Sequence, residues 1–190
     1  GAKSTATEYY DGTSWTTQTA TLGAGRTSGG AGGIQNSAVV FAGANPSVTT
    51  TTEELNQSAA VITAAAWASS GSLNTARSGM FTGPIGSQTA GLAVGGESST
   101  KLNATEEYDG SSWTTVNTIP VSLSYRGGAG TQAAGLVFGG NPNPSTVATT
   151  NEYDGTNWTS GGDLNNARGY GPIASGTQTA ALAASGFDPP

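Results

Sequence analysis

Four short apolar runs punctuate the chain: Ser37 to Gly43, Gln88 to Gly96, Gln132 to Gly140 and Gln178 to Gly186. Each is short, rich in small and β-branched residues and closed by glycine, which predicts a buried strand and not a helix. Between them lies a second, half-polar pattern. Glu8 to Thr16 (EYYDGTSWT) recurs at Glu107 to Thr114 (EYDGSSWT) and at Glu152 to Thr159 (EYDGTNWT). In each copy Asp-Gly (Asp11-Gly12, Asp109-Gly110, Asp154-Gly155) separates two strand-like segments, a strong hairpin signal because both turn positions tolerate positive φ.

The two patterns alternate with a fixed period. Trp15, Trp67, Trp113 and Trp158 are 52, 46 and 45 residues apart, and joining the chain ends would give a fourth spacing of 47. Tyr10, Tyr108 and Tyr153 stand five residues before their tryptophans. The second copy is degenerate, with Leu55 for the tyrosine and an insertion that delays Trp67. Ten to thirteen residues after each tryptophan comes an arginine (Arg26, Arg77, Arg126, Arg168), preceded twice by Leu-Asn-x-Ala, and a Gly-rich approach leads to the next apolar run.

A diglycine (Gly95-Gly96, Gly139-Gly140), then an aromatic, a tryptophan and an arginine at this period resembles the Kelch repeat, whose unit is a four-stranded blade of a β-propeller. Ala42-Gly43 and Ser185-Gly186 are weaker versions of the diglycine. The resemblance implies an all-β Kelch-like propeller of four blades of four antiparallel strands, with the terminal blade shared between N- and C-terminal strands, or else a slice of a longer array. Read so, residues 1–190 form a single repeat domain with units 19–67, 68–113, 114–158, and 159–190 joined with 1–18. Tyrosine and tryptophan would pack between blades, supplying apolar area that Ala- and Gly-rich strands lack. Prolines at 46, 142, 144, 189 and 190 fall in connections.

Composition narrows the chemistry. Gly, Thr, Ala and Ser supply 108 of 190 residues, and the net charge is −6 with only six basic residues. Those six cannot build the basic stripe that phosphate backbones demand, so no nucleic-acid partner is expected. With no His and no Cys, Ser-His-Asp and Cys chemistry, the usual zinc and haem ligation and disulfides are all excluded. The longest apolar stretch, Ala59 to Ala68, falls short of a membrane span. A glycine start with no charged-then-apolar leader implies a removed signal or a piece of something longer.

The remaining constellations read as structural. Each arginine beside a repeated acid (Glu8, Glu53 or Glu54, Glu106 or Glu107, Glu152) looks like a strand staple, worth ~0–1 kcal/mol at a surface, and outweighs a ring of arginines for an anionic sugar. The Asp-Gly turns offer one carboxylate each, too few for Ca²⁺. Glu53-Glu54 and Glu106-Glu107 point to opposite strand faces, unlike a glycosidase acid pair. No catalytic, cofactor-binding or metal residue is expected, and no cofactor. The sequence style resembles phage fibre and capsid-decoration proteins. The expected function is therefore a non-enzymatic structural or adhesive protein, extracellular or on a virion surface, binding a protein or a cell-surface glycan through propeller loops. A secreted or cell-surface bacterial adhesin or filament subunit is the alternative, and a carbohydrate-active enzyme the third reading. Assembly into a homo-oligomer, particle or fibre through blade edges stays open.

Overall fold

A computed structural model describes residues 3–35, 37–56, 66–80, 85–141 and 145–187. The prolines at 142, 144, 189 and 190, and most of the insertion before Trp67, lie outside the described residues. Every regular element among the described residues is a strand. An isolated hairpin, β1 (Glu8–Tyr10) and β2 (Trp15–Thr17), comes first. Three four-stranded antiparallel meanders follow: β3 (Gly30–Ile34), β4 (Ser37–Phe41), β5 (Thr52–Asn56) and β6 (Ala66–Ser70); β7 (Gly86–Ser87), β8 (Ala90–Val94), β9 (Thr105–Tyr108) and β10 (Trp113–Val116); β11 (Gly127–Thr131), β12 (Ala134–Phe138), β13 (Thr150–Tyr153) and β14 (Trp158–Ser160). A second isolated hairpin, β15 (Ile173–Thr177) and β16 (Ala180–Ala184), ends the series. The architecture is all-β and propeller-like.

Local chemistry sets these turns. The Asp11 carboxylate accepts the Thr13 and Ser14 amides, both at 2.8 Å, and Asp109 and Asp154 repeat the arrangement. The glycine after each aspartate has φ between +88° and +98°, where a side chain would be strained. Register then follows: Tyr10 pairs with Trp15, Tyr108 with Trp113 and Tyr153 with Trp158. Leu55 pairs with Trp67 at the same place, so the ladder stays in phase on either side of the insertion.

Within each complete blade the second and third strands carry most of the buried positions. Val39, Phe41, Leu92, Val94 and Val137 join Tyr108, Trp113 and Tyr153 in one cluster running through three blades. Trp113 lies 4.9 Å from both Phe41 of the preceding blade and Tyr108 of its own. The blades pass from 30–70 to 86–116 to 127–160, so their limits fall just after each tryptophan's strand.

The first strands β3, β7, β11 and β15 stand in succession about the axis. A chain of backbone bonds links the segments that lead into them: Gly79 N–H to Ser28 O, Tyr125 N–H to Gly79 O and Gly171 N–H to Tyr125 O. The arc does not close. β1–β2 and β15–β16 remain separate two-stranded sheets, and the terminal blade expected to be shared between chain ends is not formed. Each half is instead held by the blade beside it: Gln35 Nε2 donates to Tyr10 O at 3.3 Å, and Gln178 Nε2 to Gly135 O and Tyr153 O at 3.1 and 2.8 Å.

Candidate functional site

Arg77 and Arg126 are buried within the blades, and Arg26 and Arg168 are partly buried. Arg77 Nη2 pairs with Glu106, and its Nη1 donates to Gly95 O (3.1 Å) and Ala104 O (2.9 Å). Arg26 does the same with Glu53, Ala42 O and Thr51 O. The Arg77 and Glu106 side chains are both 0% exposed, so the surface-pair expectation is corrected. These pairs have lost their hydration and depend on complete hydrogen bonding. Glu106 supplies it by also accepting the backbone amide of Asn74 at 2.7 Å, while the Asn74 side chain donates to Trp113 O at 3.1 Å. Burial lowers the Arg77 pKa, with Glu106 opposing it. A guanidinium so enclosed does not face a ligand, and the anionic-sugar reading loses its basis here.

The third arginine departs from the pattern. The residues after Arg26, Arg77 and Arg168 bridge to Ala44, Glu97 and Phe187, and in the third blade the bridge is Ser124 to Asn141. Leu123 therefore stands in the arginine position. Arg126, three residues on, reaches the same region from another backbone site and donates from Nη2 to Asn151 Oδ1 at 2.9 Å. Asn151 has the register of Glu53 and Glu106, so the arginine's partner is not Glu152. Arg126 is 2% exposed, its Nε and Nη1 have no hydrogen-bond partner among the described residues, and burial brings its pKa down to about 10. Arg168 Nη1 donates to Ser185 O at 3.0 Å.

The second acid of each doublet works between blades. Glu54 Oε1 accepts the Tyr108 hydroxyl at 2.5 Å, and Glu107 Oε1 the Tyr153 hydroxyl at 2.9 Å. Trp113 Nε1 donates to Thr52 Oγ1 and Trp158 Nε1 to Thr105 Oγ1, at 3.1 and 3.0 Å. Burial, then the bond to Glu54, pushes the Tyr108 hydroxyl up to about 12, and the same causes raise Tyr153. The diglycines, Gly95-Gly96 and Gly139-Gly140, all have positive φ. A Cβ on Gly139 would stand 2.4 Å from Arg168 O, so the residue marks a close blade-to-blade approach.

One repeated residue escapes the sequence reading. Gln132 Nε2 donates to Gly91 O (3.1 Å) and Tyr108 O (2.9 Å) of the preceding blade. Gln178 and Gln88 do likewise, Gln88 to Leu55 O and Asn56 Oδ1. The available signal was a glutamine two residues after a glycine at the same phase in all four copies: Gly33-x-Gln35, Gly86-x-Gln88, Gly130-x-Gln132 and Gly176-x-Gln178.

What remains accessible is loops and ends. Exposed hydroxyl-rich segments lie at Ser98–Thr100, between β8 and β9, and at the opposite rim at Thr13, Ser14, Ser111, Ser112, Thr156 and Asn157. A groove of about 790 Å³ runs between β1–β2 and the blade beginning at β3, lined among others by Tyr9, Tyr10, Trp15, Gly32, Ile34 and Leu55. Among the described residues, no group of three His, Cys, Asp or Glu gathers as a metal site, and no helix is long and apolar enough to cross a membrane.

The fold is thus that of a propeller-like array of antiparallel blades. Among solved structures, that of YjhT superposes with a TM-score of 0.70 at 13% identity, over 92% of this chain and 65% of YjhT. The chain therefore spans about two thirds of that protein's length, and the likeness is one of fold. No family model matches the sequence, and no curated protein matches it significantly.

Proposed function

We propose that this chain is a Kelch-like repeat scaffold acting as a non-enzymatic structural or adhesive protein of an extracellular or virion surface, a virion appendage or decoration protein that binds a host-surface glycan or another virion protein through its loops. The observation that carries this reading is where the acids go. Glu53 and Glu106 neutralise buried arginines, Glu54 and Glu107 hold tyrosines of the next blade, and Asp11, Asp109 and Asp154 close turns. Carboxylates so engaged are not poised for acid–base chemistry. The exposed loops instead offer hydroxyls and backbone groups, suited to weak polar contacts that gain strength by repetition across many copies. Fold alone assigns no function, so the test is direct. Material from the source is separated on a density gradient and the particle band searched for peptides of this chain by mass spectrometry. Stoichiometric recovery with particles supports the reading. Recovery only in the soluble or cell-surface fraction overturns the virion assignment in favour of a bacterial adhesin or filament subunit, and turnover of a polysaccharide overturns the non-enzymatic one.

A further inference from the structure

The third blade buries a cation without a counter-charge. In the two blades before it the guanidinium meets a glutamate, Arg26 with Glu53 and Arg77 with Glu106. At the corresponding register stands Asn151, whose amide oxygen takes Arg126 Nη2 without supplying charge. The next residue, Glu152, points to the other face of the strand, where its Oε1 lies 2.7 Å from the position of a Cβ on Gly161. Asp163 is engaged by the Thr150 amide at 3.3 Å. Among the described residues the ion pairs are Arg26–Glu53, Arg77–Glu106 and Lys101–Glu97, and Arg126 belongs to none of them.

Arg126 also has donors to spare. It is 2% exposed, and its Nε and Nη1 find no acceptor among the described residues. An unbonded Nε is shared with Arg26 and Arg168, so Nη1 is what sets Arg126 apart. Arg77 Nη1 donates to Gly95 O and Ala104 O. Their counterparts in the third blade are Gly139 O and Thr149 O, and Arg126 Nη1 bonds neither.

Two hydroxyls share this condition: Thr146 Oγ1 and Thr149 Oγ1 are buried with no partner among the described residues. Gly139 N–H bonds Thr149 O at 3.0 Å and continues the β12–β13 ladder by one residue. Thr149 therefore lies on the same strand face as Asn151, two residues on. Thr146 comes from the connection between these strands and borders the diglycine. A Cβ on Gly169 would stand 2.8 Å from Thr146 Cγ2 and 3.0 Å from Gly140 O, and one on Gly140 would stand 2.8 Å from Arg126 Cγ.

A charge taken out of water persists where an opposite charge and hydrogen bonds replace its hydration. Burial brings the Arg126 pKa down to about 10, still above neutral pH, so the group stays cationic. Its enclosure limits any partner to something small. Four N–H and O–H donors call for an acceptor that carries negative charge, which water does not. We infer that the third blade holds a chloride ion beside Arg126, bound by its Nε and Nη1 and by the hydroxyls of Thr146 and Thr149, in place of the carboxylate that Glu53 and Glu106 supply in the earlier blades. Asn151, shorter than glutamate by a methylene, leaves the room for it. All four donors belong to the third blade's own first strand and connection.

The experiment uses the 190-residue chain at fixed total salt, with sodium chloride replacing sodium fluoride, whose anion gives up its water far less readily. Binding to the folded state alone should lower the unfolding equilibrium constant by about tenfold for each tenfold rise in chloride above its dissociation constant, read from urea unfolding. The chloride NMR line should broaden in the presence of the protein, narrow again when bromide displaces the ion, and ignore fluoride. Asn151→Glu brings a carboxylate to the same place and Arg126→Leu removes the cation, so each should abolish both responses. Asn151→Glu should gain most over the parent protein in fluoride and least at high chloride. Stability and linewidth indifferent to chloride overturn the inference. A chloride response of equal size in Arg126→Leu overturns it too, since the salt would then act elsewhere on the chain. Should neither variant fold, the parent protein decides: a line that bromide fails to narrow, or that fluoride narrows equally, overturns the site. None of these outcomes bears on whether the loops bind a surface ligand.

Discussion

Tyr108 donates its hydroxyl to Glu54 across the boundary between the first two complete blades, and Tyr153 repeats this with Glu107 one blade on. Where the tyrosine is replaced by Leu55, the residue in the acceptor register of the preceding hairpin is Tyr9 and not a glutamate. Donor and acceptor change together along the array. Tyr108→Phe removes the donor and leaves a half-buried carboxylate short of a bond, which costs about 1–3 kcal/mol. The variant also loses the contact of Ser70 with the Tyr108 hydroxyl; urea unfolding should show a lower midpoint, and an unchanged midpoint would refute a stabilising role for this inter-blade bond.

Arg77 and Glu106 should behave as a unit. Arg77→Leu or Glu106→Leu alone strands a buried charge, at about 3–5 kcal/mol, whereas the double replacement by apolar residues loses far less. A double-mutant cycle read by denaturant unfolding checks this, and additive losses would refute the coupling.

Arg126 faces an amide where its counterparts face a carboxylate. Asn151→Glu should raise stability by ~1 kcal/mol or more by pairing this buried cation, seen as a higher midpoint in thermal unfolding. A lower midpoint would show that the space beside Asn151 cannot admit the longer side chain.

The glutamine clamp predicts a loss without any change of charge. Gln132→Ala deletes two inter-blade bonds and leaves Gly91 O and Tyr108 O short of a donor, for ~1–3 kcal/mol. Hydrogen exchange should show faster opening of β8 to β12 in the variant, with the remote β3–β4 pair unaffected.

Alkaline pH should weaken the array through its tyrosines. The folded state keeps the Tyr108 proton up to about 12, against 10.0 for the free side chain. Stability is therefore intact below pH 10 and declines as pH rises from there through about 12. Tyr153 adds in the same direction. At the acid end Asp11, Asp109 and Asp154 are lowered first by backbone N–H donors within their turns, so their contribution is present above pH 3.8 and lost as pH falls further. Urea midpoints measured against pH should show both limbs, and Tyr108→Phe should flatten the alkaline one.

The blade was legible because its strongest signals are local. Asp-Gly with hydrogen-bonding neighbours sets a turn, a short apolar run closed by glycine sets a strand, and Trp67 keeps the register of its counterparts opposite Leu55. The glutamines went unread because nearly all their partners are backbone carbonyls of another blade, which leave no trace in residue type. Arginine burial was equally hidden: composition shows a cation near an acid, and only packing shows that both have lost their water. Whether the ends meet depends on the small rotation between successive blades, which no single repeat encodes.

The exchange between Leu123 and Arg126 carries a lesson about inheritance in repeats. Lined up column against column, the third repeat would count as having lost its arginine, and a comparison of sequences would mark that site as free to vary. In space the positive group still reaches the same strand, delivered from three residues downstream. What is preserved from blade to blade is a location for charge, and the backbone that carries it there can be replaced.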